Sequence, residues 1–199
     1  EQYRMNDKIL SFSNDMFYDG LLRSHPTNKN HTLSANSESL VFIDTSGCGY
    51  DESLHKKTRS LYNEGEYFIL REHIMEKFEL YKHVTIGVIS PYAEQVRYIR
   101  TQIEEDANLR TLDLVVNSID GFQGQEKDLI IISLTRSNED GIIGFLADYR
   151  RLNVAMTRAR KKLVIIGDGA TLCSNELYLK LIDHIERHGK LQSAWEYMM

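Results

Sequence analysis

Residues 118–138 read SIDGFQGQEKDLIIISLTRSN, and residues 148–168 read DYRRLNVAMTRARKKLVIIGD. Each contains a short apolar run, Leu129–Ile132 in the first and Leu163–Ile166 in the second. Neither run alternates with polar residues, which is the pattern of a strand buried on both faces. The stretch from Asp148 to Ala159 between them reads as a helix. Strand, helix and strand in that order predict a parallel sheet with helices laid across it.

Working outward, LVFIDT (40–45) and VTIGVIS (84–90) have the same unalternating character, and LDLVVNSI (112–119) supplies one more strand. Helical spacing appears after a cap at Asn6 or Asp7, carried by Ile9, Leu10, Phe12, Met16 and Phe17. It recurs from Thr58 to Leu80 through Leu61, Phe68, Ile69, Ile74 and Phe78, and from Tyr92 to Ala107 through Val96, Ile99 and Ile103. A last helix runs from Asn175 to His188 and stops at Gly189. Residues 24–39 are polar and include Pro26, so they read as a surface loop, either plain surface or part of a partner-binding insertion. The expectation is one α/β domain over residues 1–199, with a mostly parallel sheet covered on both faces. In such sheets working residues gather at the carboxyl ends of the strands.

Composition bounds the function. A hydrophobic fraction of 42% and eleven Tyr with seven Phe exclude a disordered chain, because enough apolar area exists to offset the ordering entropy. The net charge of -5 gives no global attraction for nucleic acid, so any such binding needs a local basic cluster. Cys48 and Cys173 have neither disulfide-framework nor zinc-ligand spacing. No run is apolar enough to span a membrane and no secretory signal is visible, so an intracellular setting is expected. The start at Glu1, within what reads as a motif, leads us to expect a fragment of a longer protein.

The chemistry concentrates in the two opening stretches. Asp120, Gln123, Gln125, Glu126, Lys127 and Asp128 crowd between two apolar strands, with Gly121 and Gly124 among them. By composition alone this is a surface loop with turn glycines; the other reading is a backbone that approaches a ligand closely. Arg150, Arg151, Arg158, Arg160, Lys161 and Lys162 then follow with Asp148 as the one nearby acid. A guanidinium suits phosphate oxygens, which it binds through two parallel hydrogen bonds. For Lys161 and Lys162 a solvated basic helix end is expected, whereas Arg158, between the small residues Thr157 and Ala159, is a candidate for function. There is no G-x-x-x-x-G-K-[ST] phosphate loop, and Gly167-Asp168-Gly169 is a strand-to-helix turn.

FQGQEKDLIIISLTRSN and DYRRLNVAMTRARKKLVIIGD resemble motifs V and VI of superfamily 1 helicases, most nearly subgroup B, which includes the nonsense-mediated-decay helicase and senataxin. QYRM at the start resembles motif IV, and GVISPYAEQV resembles the family's strand-to-helix contact with nucleic acid. The four stretches occur in the family's order from Gln2 to Asp168. The resemblance implies a second RecA-like motor domain without its own phosphate loop. It works with ATP and Mg2+ held mainly by an N-terminal RecA-like domain of the same protein, on single-stranded DNA or RNA, and runs 5′ to 3′ if the subgroup likeness holds. By the same resemblance Tyr3 stacks on adenine, Arg4 reaches the terminal phosphates, and Arg158 is the arginine finger. Glu126 accepts a hydrogen bond from the ribose, Gln123 and Gly124 lie beside the γ-phosphate, and Ser118 with Ser90, Pro91 and Tyr92 touches the nucleic-acid backbone. Arg151 contacts phosphate or braces motif V through Asp120 or Glu126. One departure is Asn6-Asp7, where motif IV often continues with His-Pro.

Other groupings read as structural. His184 and His188 share a helix face but lack the Glu that a zinc protease places after the first His. Glu104, Glu105 and Asp106 form a solvated acidic run, and Tyr62, Tyr67 and Phe68 are expected to pack in the core. Two functions stay open at this point: half of an ATP-driven translocase, and a nucleic-acid-binding module that kept the fold without the motor.

Overall fold

The computed structural model describes Gln2 and residues 4–199. The chain runs through α1 (Asp7–Phe17), β1 (Leu40–Asp44), a hairpin of β2 (Ser53–Leu54) and β3 (Leu61–Tyr62), α2 (Glu64–Glu76), α3 (Phe78–Tyr81), β4 (Ile86–Ile89) and α4 (Ala93–Glu105). It continues with β5 (Leu114–Asn117), β6 (Lys127–Ser133), α5 (Tyr149–Met156), β7 (Ala159–Gly167), α6 (Gly169–Leu172), α7 (Glu176–His188) and β8 (Lys190–Ser193). Six strands form one sheet in the order β5-β4-β6-β7-β1-β8. Every pairing in it is parallel.

The unalternating runs find their reason in two cores. Ile130, Ile132, Leu163 and Ile165 face α1, α5 and α7 on one side of the sheet. Leu129, Ile131, Val164 and Ile166 face α2 and α4 on the other. Consecutive residues point to opposite faces of a strand, so a strand sandwiched between helices must be apolar at every position. No helix of the described residues is long and apolar enough to cross a membrane.

Two local expectations give way. The helical pattern from Thr58 to Leu80 begins late: Leu61 lies in β3, and α2 starts only after Asn63, whose side chain accepts from Glu66 N at 2.9 Å. Asn at the cap satisfies a helix N–H that would otherwise go unpaired, and so sets the boundary. Ile69 and Ile74 are fully buried, but Phe68 is 39% exposed. The tail past Gly189 does not simply end; β8 pairs along β1 from Val41↔Lys190 to Asp44↔Ser193. The polar loop is anchored as well. Asn6 Nδ2 donates to His31 O at 3.0 Å, Asp7 N to Lys29 O at 3.2 Å, and His25 N to Gln2 O at 2.9 Å.

A buried polar layer closes the carboxyl end of the sheet. Gln95 accepts from Asn63 N at 2.8 Å and donates to Ser133 Oγ at 2.9 Å. Ser133 Oγ in turn donates to Glu66 Oε2 at 2.5 Å, which also accepts from Thr135 N at 2.8 Å. Thr135 is β-branched yet holds φ at 73°, a conformation sustained only where surrounding bonds over-determine it. Burial pushes the Glu66 carboxyl up to about 8, and its Oε1 has no hydrogen-bond partner among the described residues. The folded chain therefore holds a proton on Glu66 that the unfolded chain releases near pH 4.5. Stability should fall as pH rises from there through about 8, by at most about 1.4 kcal/mol per pH unit. Glu66→Gln mimics the protonated form, so thermal unfolding of the variant should lose this part of the pH dependence and gain on the parent toward pH 8.5. A parent and variant that run parallel between pH 5 and 8.5 would show that Glu66 is ionised in the fold.

Candidate functional site

Helix α5 descends from the carboxyl end of the sheet and ends at Met156, so Arg158 falls at the amino edge, just before β7. The Arg158 carbonyl accepts from Lys127 N at 3.0 Å, tying the starts of β6 and β7 together. Its guanidinium donates through Nε to Val154 O at 3.1 Å and through Nη1 to Gln125 O at 3.4 Å. No carboxylate lies within ion-pair distance of it among the described residues. Burial, then the nearby charge of Arg4, pushes the Arg158 pKa down, though a guanidinium stays charged throughout.

Arg4 reaches the same edge from the start of the chain. Gln2 Oε1 accepts from both Arg4 N and Met5 N at 2.8 Å, and Gln2 Nε2 donates to Ser24 Oγ at 2.6 Å. This turn directs the Arg4 side chain onto Glu126, with which it forms an ion pair. Arg4 Nη1 also donates to Thr157 O at 3.4 Å. Glu126 is a second-best partner for Arg160, at 3.8 Å, because Arg160 sits 2.8 Å from Asp128. Gln123 is exposed and makes no side-chain hydrogen bond among the described residues, and Gly124 turns the chain with φ at 77°. Tyr3 lies outside the described residues.

The structure thus brings Arg4, Glu126 and Arg158 together and carries Gln123 and Gly124 toward them on the segment that enters β6. It places them at the amino ends of the strands, not at the carboxyl ends where working residues were expected. The reason is the descent of α5, which delivers its last turn to the start of β7. Lys161 and Lys162 also depart from expectation, since both belong to β7 rather than to a helix end. Lys161 pairs with Asp128 at 3.2 Å. Lys162 points inward on the face shared with Val164, is 3% exposed, and is pushed down to about 8 by burial.

The carboxyl edge holds the second predicted set. Ser90 and Tyr92 are buried, and their polar atoms are engaged within the protein. Ser90 Oγ lies 3.1 Å from Thr135 Oγ1, and the Tyr92 hydroxyl accepts from Arg136 Nη1 at 3.1 Å and donates to Ile143 O at 3.3 Å. Both side chains are thus turned into the protein, leaving the half-buried Pro91 and Ser118 at the surface. Ser118 Oγ accepts from Gly121 N at 3.2 Å, and Arg151 Nη2 pairs with Asp120 at 2.8 Å, bracing the segment between β5 and β6. Arg136 escaped the sequence reading; it is 7% exposed and forks onto Glu52 at 2.8 and 3.1 Å. Its signal was a lone Arg directly after an apolar strand, which resembles any strand-ending cation. Of the aromatic trio, Tyr67 is buried and packs edge-on against Tyr98 at 5.8 Å, while Phe68 is partly exposed. His184 hydrogen-bonds Ser11 Oγ at 2.8 Å, and no group of three His, Cys, Asp or Glu side chains that could hold a metal occurs among the described residues.

A protein-family model described as "AAA domain" matches residues 1–170. The chain is 37% identical over 99% of its length to the "DNA-binding protein SMUBP-2" of Mesocricetus auratus, covering 20% of that protein. It is 42% identical over 90% of its length to the "DNA polymerase alpha-associated DNA helicase A" of Saccharomyces cerevisiae, covering 29% of it. It thus spans only a fifth to under a third of the length of these relatives. Among solved structures, the C-terminal domain of a possible DNA helicase from Lactobacillus plantarum WCFS1 has the same fold. The TM-score is 0.50 at 10% identity, over 98% of this chain and 99% of that one.

Two neighbouring carboxylates separate site from scaffold. Asp128 is 7% exposed and contacts Arg160 and Lys161. Burial opposes its ionisation, but Arg160, Thr85 N and Lys161 hold its pKa below the usual range. Asp128→Ala should cost about 1.5–3 kcal/mol in urea unfolding, whereas Glu126→Ala, losing an exposed pair, should cost less than about 1 kcal/mol. Equal losses at the two positions would place Glu126 in the scaffold.

Proposed function

This chain belongs to the AAA domain family, as the C-terminal RecA-like domain of a superfamily 1 helicase, and we propose that it closes one wall of an ATP site in a motor that moves along single-stranded DNA or RNA. The observation that carries this reading is the amino edge. Two guanidiniums, Arg4 and Arg158, stand near one another there; Arg4 pairs with the exposed Glu126, and Arg158 is held only by backbone carbonyls among the described residues. Cations so displayed suit a polyanion brought by a facing domain.

ATP with Mg2+, bound mainly by the N-terminal RecA-like domain, supplies the phosphoanhydride whose cleavage drives the motor. Arg158 stabilises charge developing on the transferred phosphoryl group, as an arginine finger does. Arg4 binds the terminal phosphates. In the structure Arg4 is paired with Glu126, so Glu126, on turning to a ribose hydroxyl, frees Arg4 for this task. Gln123 and Gly124 lie beside the γ-phosphate, and Tyr3 stacks on the adenine. Pro91 and Ser118 meet the strand backbone at the opposite edge, and the buried Ser90 and Tyr92 hold their turn in shape. Closing and opening of the amino edge then moves the carboxyl-edge contacts along the strand.

ATP hydrolysis by the intact polypeptide, with and without single-stranded DNA or RNA, tests the reading. A strand should stimulate turnover, and Arg158→Ala should lower it by about 10³–10⁵-fold while ATP still binds. This domain by itself should hydrolyse essentially none. Turnover indifferent to every strand, or an Arg158→Ala protein as fast as the parent, would leave a strand-binding module with a motor's fold.

A further inference from the structure

The segment after β6 carries a feature that the motor reading leaves unused. Phe145 is 65% exposed, yet the backbone around it is held on every side. Asn138 clasps the loop that leads to it, donating to Ile142 O at 2.8 Å and accepting from Ile142 N at 2.8 Å. Phe145 N donates to the Tyr92 hydroxyl at 3.2 Å. The next residue, Leu146, is buried, and its carbonyl accepts from Tyr178 at 2.7 Å. At the preceding position, Gly144, an added Cβ would lie 2.1 Å from Arg136 Nη1 and 2.8 Å from the Tyr92 hydroxyl, and φ is 53°. Only a glycine lets the chain settle this low over Arg136 and Tyr92.

The ring itself lies stacked on Tyr92, with centroids 5.2 Å apart and planes at 28°. Tyr92 is fixed from below by Arg136, which Glu52 grips through two hydrogen bonds. One face of Phe145 is therefore backed by a rigid tier of aromatic and guanidinium groups. Pro91, Asp148 and Arg151 border, with Phe145 and the buried Leu134, Leu152 and Tyr178, a narrow, mainly apolar cavity. Arg150, exposed at the first turn of α5, has no ion pair among the described residues.

We propose that Phe145 is a stacking platform for one nucleobase of a single-stranded nucleic acid, at the carboxyl edge of the sheet. The proposal rests on the motor reading for the presence of a strand there and adds the residue that receives a base. An exposed flat ring backed by Tyr92, with Pro91 and Arg151 nearby, matches a base, whose π-face stacks whatever its identity. A stable protein interface would need roughly 800 Å2 from each partner, far more than one ring with the neighbouring exposed Ile142 presents. Because the platform is already ordered, little entropy is lost when a base arrives.

The experiment uses the intact polypeptide and fluorescently labelled single-stranded oligonucleotides of DNA and of RNA. Phe145→Ala should weaken strand affinity by about 5- to 150-fold, the range of one base–aromatic stack. Moving a single abasic site along the strand should reveal a position where the parent loses affinity and Phe145→Ala loses none further. Phe145→Trp should keep the parent's affinity, and the emission that this Trp adds to the parent's should be quenched by the strand. Suppose instead that Phe145→Ala binds within twofold of the parent and Phe145→Trp emission is unmoved, while a strand still stimulates turnover. The platform is then wrong, the motor reading stands, and Phe145 faces another part of the polypeptide. A parent that neither binds nor responds to any strand sinks both.

Discussion

Everything in this chain follows from a sheet that is covered on both faces. Once Leu129–Ile132 and Leu163–Ile166 are buried from each side by helices, no polar or charged group can work from a strand's face without a desolvation cost. Chemistry is pushed to the two edges where strands begin and end. Lys162 is the exception on β7, and burial lowers its pKa as expected for a cation drawn inward.

The amino edge is built from charge. Arg4, Arg160 and Lys161 meet two carboxylates, Glu126 and Asp128, with Arg158 beside them unpaired to either. Asp128 is buried and engaged on several sides, whereas Glu126 is exposed and shared between Arg4 and Arg160. The arrangement leaves positive charge in excess and holds Arg158 by carbonyl oxygens, which orient a guanidinium without neutralising it. A surface of this kind is stable enough open and gains when an anion is pressed against it.

The carboxyl edge is built from hydrogen bonds. Glu66, Gln95, Ser133 and Thr135 form a buried layer, and Glu52, Arg136 and Tyr92 form a tier reaching the surface at Phe145. Buried polar networks of this density fix one geometry, because any slip leaves a group unpaired in a medium of low dielectric. The two edges thus differ in kind, one electrostatic and open to exchange, the other rigid. Opposite ends of the same short strands carry them, so a shift of the whole domain moves both together.

The sheet and its helices on both faces were legible from residue order, because apolar runs are local properties of the chain, whereas a common site for Arg4, Glu126 and Arg158 was implied only by the family resemblance of the stretches that hold them. The hairpin at Ser53–Tyr62 was not, since its two-residue strands leave too short a period to detect. Nor was β8, whose KLQS carries no apolar run yet pairs in parallel along β1. Ser90 and Tyr92 looked like surface contacts and proved to be interior, because Thr135 and Arg136, which consume their hydroxyls, are some 45 residues away in the chain. By itself the sequence determined the apolar central strands, most of the helices and which residue types are available for phosphate. Only the tertiary structure decided which edge each residue faces and which side chains remain free, because both depend on contacts between segments that no local period records.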